Sequence, residues 1–373
     1  MQLQSKGQVI VPTGGGKTMC MIEDAKIQFT ENSLPKTIVI VAPRILLAQQ
    51  LCEDFLELID DVDVLHVHSG ETHHPSTTKA DHIKYVNNNS TENVLIFTTY
   101  HSLHRIQEAE IEVDTIYFDE AHNSVQKHFF PATEHFAGGI NRRCYFFTAT
   151  PKHSNTIKGM NNEYVYGKVL EQVPAPELVD NDIILPPKVV VKELDMIKDR
   201  KPTPEDDADN ILATLDEQNV NKILICARRT TQITNLISDS KLTLELYARG
   251  YNWMYITAKT GAVINGIKVS REEFFKTLRT WGKDDAQKFI VMHHSILSEG
   301  ISVPGLEAAL FLRNMNFITI SQTIGRVIRK GNEQKQFGIV CVPVYDRVGI
   351  TTAKNVSAVV DTIFNKGEPA ISR

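Results

Sequence analysis

Ten short apolar runs fall into two series along this chain of 373 residues, and each series constrains its part of the chain to a sheet buried on both faces. The first comprises QVIVP (8–12), TIVIVAP (37–43), NVLIFTT (93–99), TIYFDE (115–120) and CYFFTAT (144–150). The second comprises KILICA (222–227), WMYITA (253–258), FIVMHH (289–294), AALFLR (308–313) and FGIVCVPV (337–344). The runs are continuous rather than alternating, and helix-length segments such as 44–60 separate them, which predicts parallel strands covered by helices. The fold class expected is therefore α/β, with two parallel-sheet domains in tandem at 1–170 and 206–373. Between them, 171–205 carries six prolines and is expected to be a linker or hinge.

Composition agrees with a folded chain: 42% of residues are hydrophobic and 23% charged. The net charge of −5 argues against nucleic-acid binding by bulk charge but allows a local basic groove. The five cysteines, Cys20, Cys52, Cys144, Cys226 and Cys341, are widely spaced and form no CxxC pair, so reduced thiols rather than zinc ligands or disulfides are expected. The N-terminus lacks a signal-peptide pattern and no segment is long and apolar enough for a bilayer, so a cytoplasmic protein without membrane association is expected.

Three segments carry chemistry. The run QVIVP leads into Thr13-Gly14-Gly15-Gly16-Lys17-Thr18 and then a helix-competent segment. Glycines let backbone N–H groups approach an anion, the helix start adds its positive dipole end, Lys17 can reach β and γ phosphates, and the Thr18 hydroxyl can ligate Mg²⁺. Val11 stands where such a loop often has its first glycine. Asp119-Glu120-Ala121-His122 follows the run TIYF, placing two carboxylates at the C-terminal end of a parallel strand, where α/β sheets bind ligands. Asp119 is expected to hold Mg²⁺ through water and Glu120 to activate the attacking water. A lone DEAH is a weak signal; after a phosphate loop and at a second buried strand it is strong. In the second domain, Gln322-Thr323-Ile324-Gly325-Arg326-Val327-Ile328-Arg329 puts two arginines three apart, on one face if helical, suited to a γ-phosphoryl group. An exposed arginine pair on a solvated helix is the plainer alternative.

These segments, in this order, resemble helicase superfamily two over nearly the whole chain. VPTGGGKT is similar to motif I, APRILLAQQ (42–50) to motif Ia, TTYHSL (98–103) to the strand-binding motif that follows, FDEAH to motif II and TATP (148–151) to motif III. ILICARRT (223–230), LSEGISVPG (297–305) and QTIGRVIR (322–329) are similar to motifs IV, V and VI. Within the superfamily, motifs V and VI most resemble the group containing the phage helicase UvsW, XPB and type III restriction translocases. The resemblance implies two RecA-like domains with the ATP site in the cleft between them, and ATP and Mg²⁺ as cofactors. It assigns Glu120, Gln322, Arg326 and Arg329 to catalysis; Thr13, Gly14, Gly15, Gly16, Lys17, Thr18, Asp119, Glu299 and Gly300 to the nucleotide; and His122, Thr148 and Thr150 to coupling. Pro43, Arg44, Thr99, Tyr100, Arg228 and Ser298 are implied to approach one nucleic-acid strand through its backbone, with little sequence preference.

The function expected is an ATP-dependent helicase or translocase on DNA, remodelling branched substrates in recombination or repair, as a monomeric core with possible replication or recombination partners. The same motifs fit an RNA helicase, and a nucleotide-gated binding protein is a third reading. Two departures bear on this: Ser302 stands where many relatives have Asp, and the family's adenine-recognition glutamine normally lies upstream of motif I, where only eleven residues precede Pro12. The chain is thus expected to begin inside the first helix of the fold. The histidine-rich segment HVHSGETHHP (66–75) is expected to pack rather than bind metal, and Lys127, Arg142 and Arg143 to be surface charge.

Overall fold

The computed structural model describes residues 5–31, 34–70, 72–139, 142–194, 202–257, 260–294, 303, 305–312, 315–330, 335–345 and 350–372. The chain divides into two compact units, Met1–Val173 with Ile371–Arg373, and Pro174–Ala370.

The first unit is built on strands β1 (Lys6–Ile10), β2 (Thr37–Ala42), β3 (Val62–Val67), β4 (Asn93–Thr99), β5 (Thr115–Phe118), β6 (Arg143–Thr148) and β7 (Lys168–Gln172). They form one seven-stranded sheet in the order β3-β4-β2-β5-β6-β1-β7, parallel throughout. Every residue of β2 and β5 is buried, as continuous apolar runs demand when helices cover both faces. Phe118 stacks on Phe146 with ring centroids 4.8 Å apart in the core of one face. The register matters most for the site. Ile10 lies beside Thr148, Phe118 beside Phe146, Val41 beside Phe118 and Ala42 beside Thr99. The segments that leave β1, β6, β5, β2 and β4 therefore emerge along one edge of the sheet.

The second unit contains β8 (Pro187–Leu194), β9 (Lys222–Cys226), β10 (Asn252–Thr257), β11 (Gly261–Ile264), β12 (Ile267–Val269), β13 (Phe289–His293), β14 (Ala308–Phe311) and β15 (Gly338–Tyr345). Their order is β12-β11-β10-β13-β9-β14-β15-β8. This sheet is mixed, because β11 and β12 add as an antiparallel hairpin on β10. Asn265 and Gly266 both have positive φ, 46° and 84°, as a two-residue hairpin turn that follows strand twist requires.

The stretch 171–205 holds more structure than a linker. Helix Ala175–Asp180 and strand β8 lie within it, and β8 pairs with β15 along eight residues. Pro187 is tolerated because it opens an edge strand, where the missing N–H costs no ladder hydrogen bond. Helix Pro204–Gln218 starts at its end, with Thr203 and Asp206 forming a reciprocal capping box.

The histidine segment is packed into the first unit. His66 is fully buried and His68 nearly so; His66 Nδ1 and His68 Nε2 share a hydrogen bond of 2.9 Å, and His66 stacks on Phe97 and His74. Burial, then His68 and His74, pull the His66 pKa down to about 3. A histidine with a depressed folded-state pKa stabilises the fold above its unfolded value near 6.5 and withdraws that stability as pH falls from there toward 3. Thermal melts between pH 7.5 and 5 should show the first unit losing on the order of 1–2 kcal/mol. His66→Phe, which keeps the aromatic contact, should flatten that slope; parallel slopes for the two proteins would show that His66 is not the titrating group.

Candidate nucleotide and strand-binding site

The glycine-rich loop expected to hold phosphate lies between β1 and helix Lys17–Glu31. Gly14 and Gly16 have φ of 89° and 90°, a region that side chains avoid, and a Cβ on Gly16 would meet nothing within 4 Å. The turn is closed by Gly15 N–H donating to Pro12 O at 3.0 Å, and Val11 N–H donates to Thr148 O at 3.1 Å, tying the loop to β6. Lys17 is buried at 9% exposure, and its Nζ donates to the Val11 carbonyl at 3.2 Å. Its ammonium is thereby held over the loop, while Thr13 and Thr18 are partly exposed.

Asp119 and Glu120 leave the end of β5, two strands away across β6. Asp119 is buried and its carboxyl is pushed up to about 7, first by burial and then by Glu120, with Lys17 pulling it down. A dication beside it would favour the ionised form, so the donor set of Asp119 and the Thr18 hydroxyl suits Mg²⁺. Glu120 sits at φ 45° and ψ 52°, a left-handed conformation that costs a non-glycine residue about 1 kcal/mol or more. Asn123 offsets this by donating to the Glu120 carbonyl from both its backbone N–H and its side-chain amide, each at 3.0 Å. Glu120 Oε2 is 3.5 Å from His122 Nδ1. The same Nδ1 lies 3.1 Å from Thr148 Oγ1 and 3.2 Å from Thr150 Oγ1, and Thr150 N–H donates to Thr148 Oγ1 at 3.0 Å. The three residues expected to couple thus form one cluster against the Glu120 carboxylate.

The residues expected to meet the strand divide into two groups. Pro43 is partly exposed and Arg44 exposed at the start of helix Ile45–Leu56. Thr99 and Tyr100 are buried, at 4% and 2% exposure. Tyr100 packs against Phe118 and Phe129 and its hydroxyl donates to the Asp119 carbonyl at 2.9 Å. Tyr100 is therefore a packing and positioning residue of the DEAH segment, and its expected place on the phosphodiester backbone is corrected. Arg142 is corrected as well: it donates to the carbonyls of Val113 and Phe136 at 3.2 and 3.3 Å and its guanidinium covers the Phe136 ring.

In the second unit, Arg228 is exposed and its backbone N–H donates to Gln232 Oε1 at 2.7 Å. Gln232 in turn donates to Asp207 at 2.6 Å. Gln322 and the buried Arg326 lie on helix Phe317–Val327. That helix is capped at Ile328, so Arg329 lies beyond it, in a β-bridge with Ile184. The expectation of two arginines on one helical face is corrected: the chain turns at the cap, and the Leu185 N–H takes up the Ile328 carbonyl at 2.7 Å. Ser298, Glu299 and Gly300 lie outside the described residues, as does Ser302.

Sequence reasoning missed a buried polar network beneath the site. Tyr117 OH donates to Asp24 Oδ2 at 2.6 Å, Gln28 Nε2 donates to the same oxygen at 2.7 Å, and Thr115 Oγ1 donates to Gln28 Oε1 at 2.5 Å. It links the helix that begins at Lys17 to the strand that ends before Asp119. Its signal was available: Asp24 and Gln28, four apart, on a helix that must pack on the sheet.

No curated protein sequence matches the chain. Residues 2–153 match the family model described as Type III restriction enzyme, res subunit. Among solved structures, the chain is similar to the ATP-dependent Type ISP restriction-modification enzyme LlaBIII bound to DNA, with TM-score 0.71 and 18% identity over 97% of this chain and 29% of that one. A nuclease-deletion mutant of the Type ISP enzyme LlaGI, in complex with a DNA substrate mimic, gives 0.66 and 20% over 97% and 27%. Dbp5 L327V of S. cerevisiae, bound to RNA and ADP BeF3, gives 0.62 and 15% over 99% and 85%. The chain thus spans under a third of either type ISP enzyme. The structural likeness establishes the fold, two tandem RecA-like α/β units.

Proposed function

We propose that this chain is a nucleic-acid-stimulated ATPase that moves along one strand of DNA. The observation that carries the reading is the gathering, at one sheet edge, of the Lys17 loop, the Asp119 and Glu120 carboxylates, and the His122, Thr148 and Thr150 cluster in contact with Glu120. Lys17 and the loop N–H groups bind the phosphates of ATP. Glu120 accepts the proton of the attacking water, and its strained backbone and Asn123 fix where that carboxylate starts. Mg²⁺, held by Thr18 and Asp119, would neutralise phosphate charge. Gln322, Arg326 and Arg329 of the second unit act on the transferring phosphoryl group, and Glu299 and Gly300 on the nucleotide.

His122 passes the state of Glu120 to Thr148 and Thr150, and so couples hydrolysis to the grip on the strand by Pro43, Arg44, Arg228 and Ser298. DNA is favoured by the likeness to two enzymes bound to DNA or its mimic; the likeness to an RNA-bound helicase keeps RNA as the second reading. We further propose remodelling of branched DNA in recombination or repair, a reading that the resemblance of motifs V and VI supports.

The test is ATPase activity with single-stranded DNA, duplex, forked DNA and RNA. Single-stranded or forked DNA should stimulate most. Stimulation by RNA alone transfers the reading to RNA, and no stimulation by any of the four ends it. Strand affinity should also fall by 10-fold or more between 50 and 200 mM salt, since each phosphate contact releases about one counterion; a salt-insensitive affinity contradicts the backbone grip.

A further inference from the structure

We propose that Lys335, which lies outside every helicase motif, is a positioning residue that sets Arg329 for phosphoryl transfer by clamping it to the chain that leaves motif V. The inference rests on the reading of Arg329 as a residue of the ATPase site. Lys335 Nζ donates to the Leu306 carbonyl and to the Arg329 carbonyl, both at 2.6 Å. Leu306 directly follows LSEGISVPG and is itself firmly placed. The next residue, Glu307, donates its N–H to the Lys222 carbonyl at 2.9 Å, accepts Ile339 N–H on its carbonyl at 3.0 Å and accepts Asn221 N–H on Oε2 at 2.7 Å. One end of the clamp is therefore anchored where β14 enters the sheet, between β9 and β15.

The other end is where order is needed. Helix Phe317–Val327 stops at its Ile328 cap, and no further helical turn holds Arg329. The helix C-terminus carries partial negative charge that a cation complements, and an ammonium donating to carbonyls makes stronger hydrogen bonds than a neutral donor. Lys335 supplies both. Among the described residues, charged groups that face it include Glu307 from the entry of β14, Arg329 itself, and Lys222 from β9, which also lies 3.9 Å from Asp285. Burial first, then Arg329 and Lys222, lower its pKa to about 8, with Glu307 opposing them. The clamp is thus mostly charged at neutral pH and weakens as pH rises past about 8.

The experiment compares full-length wild type, Lys335→Met, Lys335→Arg and Arg329→Ala in steady-state ATPase assays from pH 6.5 to 9.5, with saturating single-stranded nucleic acid and a thermal melt of each protein. Lys335→Met should lower kcat about 10-fold to 100-fold, as displacement of a catalytic group does, with KM for ATP within about twofold. Lys335→Arg should keep most of kcat and remove the fall in kcat that wild type shows above about pH 8. If Lys335→Met unfolds, the pH profile of Lys335→Arg decides alone. An unchanged alkaline fall in Lys335→Arg, or wild-type kcat in folded Lys335→Met, overturns the proposal. Loss of turnover in Arg329→Ala beside unchanged turnover in Lys335→Met overturns the clamp and keeps the Arg329 reading. Full turnover in Arg329→Ala overturns that reading, and the clamp with it.

Discussion

Glu120→Gln is expected to bind ATP within a few-fold of wild type and to hydrolyse it about 10²- to 10⁴-fold more slowly, the range that removal of a general base produces. Glutamine keeps the volume of the side chain and can still hydrogen-bond His122, whose Nδ1 lies 3.5 Å from Glu120 Oε2, so packing should be unchanged. What is lost is the carboxylate that accepts the proton. Single-turnover hydrolysis measured beside binding of a fluorescent nucleotide separates the two effects. Lys17→Ala should behave oppositely, losing nucleotide binding first, because its ammonium is the charge held over the phosphate loop. Turnover of Glu120→Gln within threefold of wild type would remove Glu120 from the role of base. His122→Ala offers a further discrimination: hydrolysis that persists but no longer responds to nucleic acid identifies the His122, Thr148 and Thr150 cluster as the coupling element.

The first sheet was legible because its central strands are buried on both faces: the runs at 37–43, 93–99, 115–120 and 144–150 each overlap a strand of the sheet. Strands β3 and β7 were not, for a related reason. β3 mixes buried and exposed residues, and β7 lies at the sheet edge with four of its five residues exposed, so neither carries a continuous apolar signal. β8 was hidden by the Pro186-Pro187 pair at its start, which marks an edge as readily as a linker. The Asn265-Gly266 hairpin signal was present but went unread.

At the candidate site, the positions of the glycine-rich turn and of the DEAH segment were legible: the turn follows β1 and leads into helix Lys17–Glu31, and Asp119 and Glu120 follow the end of β5. Tyr100 was misplaced because a motif match carries position along the chain and not the direction of a side chain; its ring finds Phe118 and Phe129 and turns inward. Arg329 was misplaced because spacing alone assumed that the helix continues past Ile328.

Arg326→Ala is expected to leave nucleotide and strand binding within a few-fold of wild type and to lower kcat by about 10³ to 10⁵, the contribution of an arginine that stabilises a transferring phosphoryl group. Arg326 is 5% exposed in the last turn of helix Phe317–Val327, among the buried Thr323, Ile324 and Val327. Its removal also takes a cation from a helix C-terminus, a loss of about 0.3–1 kcal/mol that a melt would register and that cannot by itself account for so large a fall in rate. Arg326→Lys separates the terms further. Lysine keeps the charge near the helix end and should restore stability, but a point charge does not reproduce a planar fork with five donors, so turnover should stay far below wild type. Rapid-quench hydrolysis with nucleotide affinity measured in parallel gives the decisive pair of numbers. Weakened nucleotide binding at an unchanged kcat would make Arg326 a ground-state phosphate ligand, whereas unchanged binding with lost turnover makes it a group that acts as the γ-phosphate bond breaks.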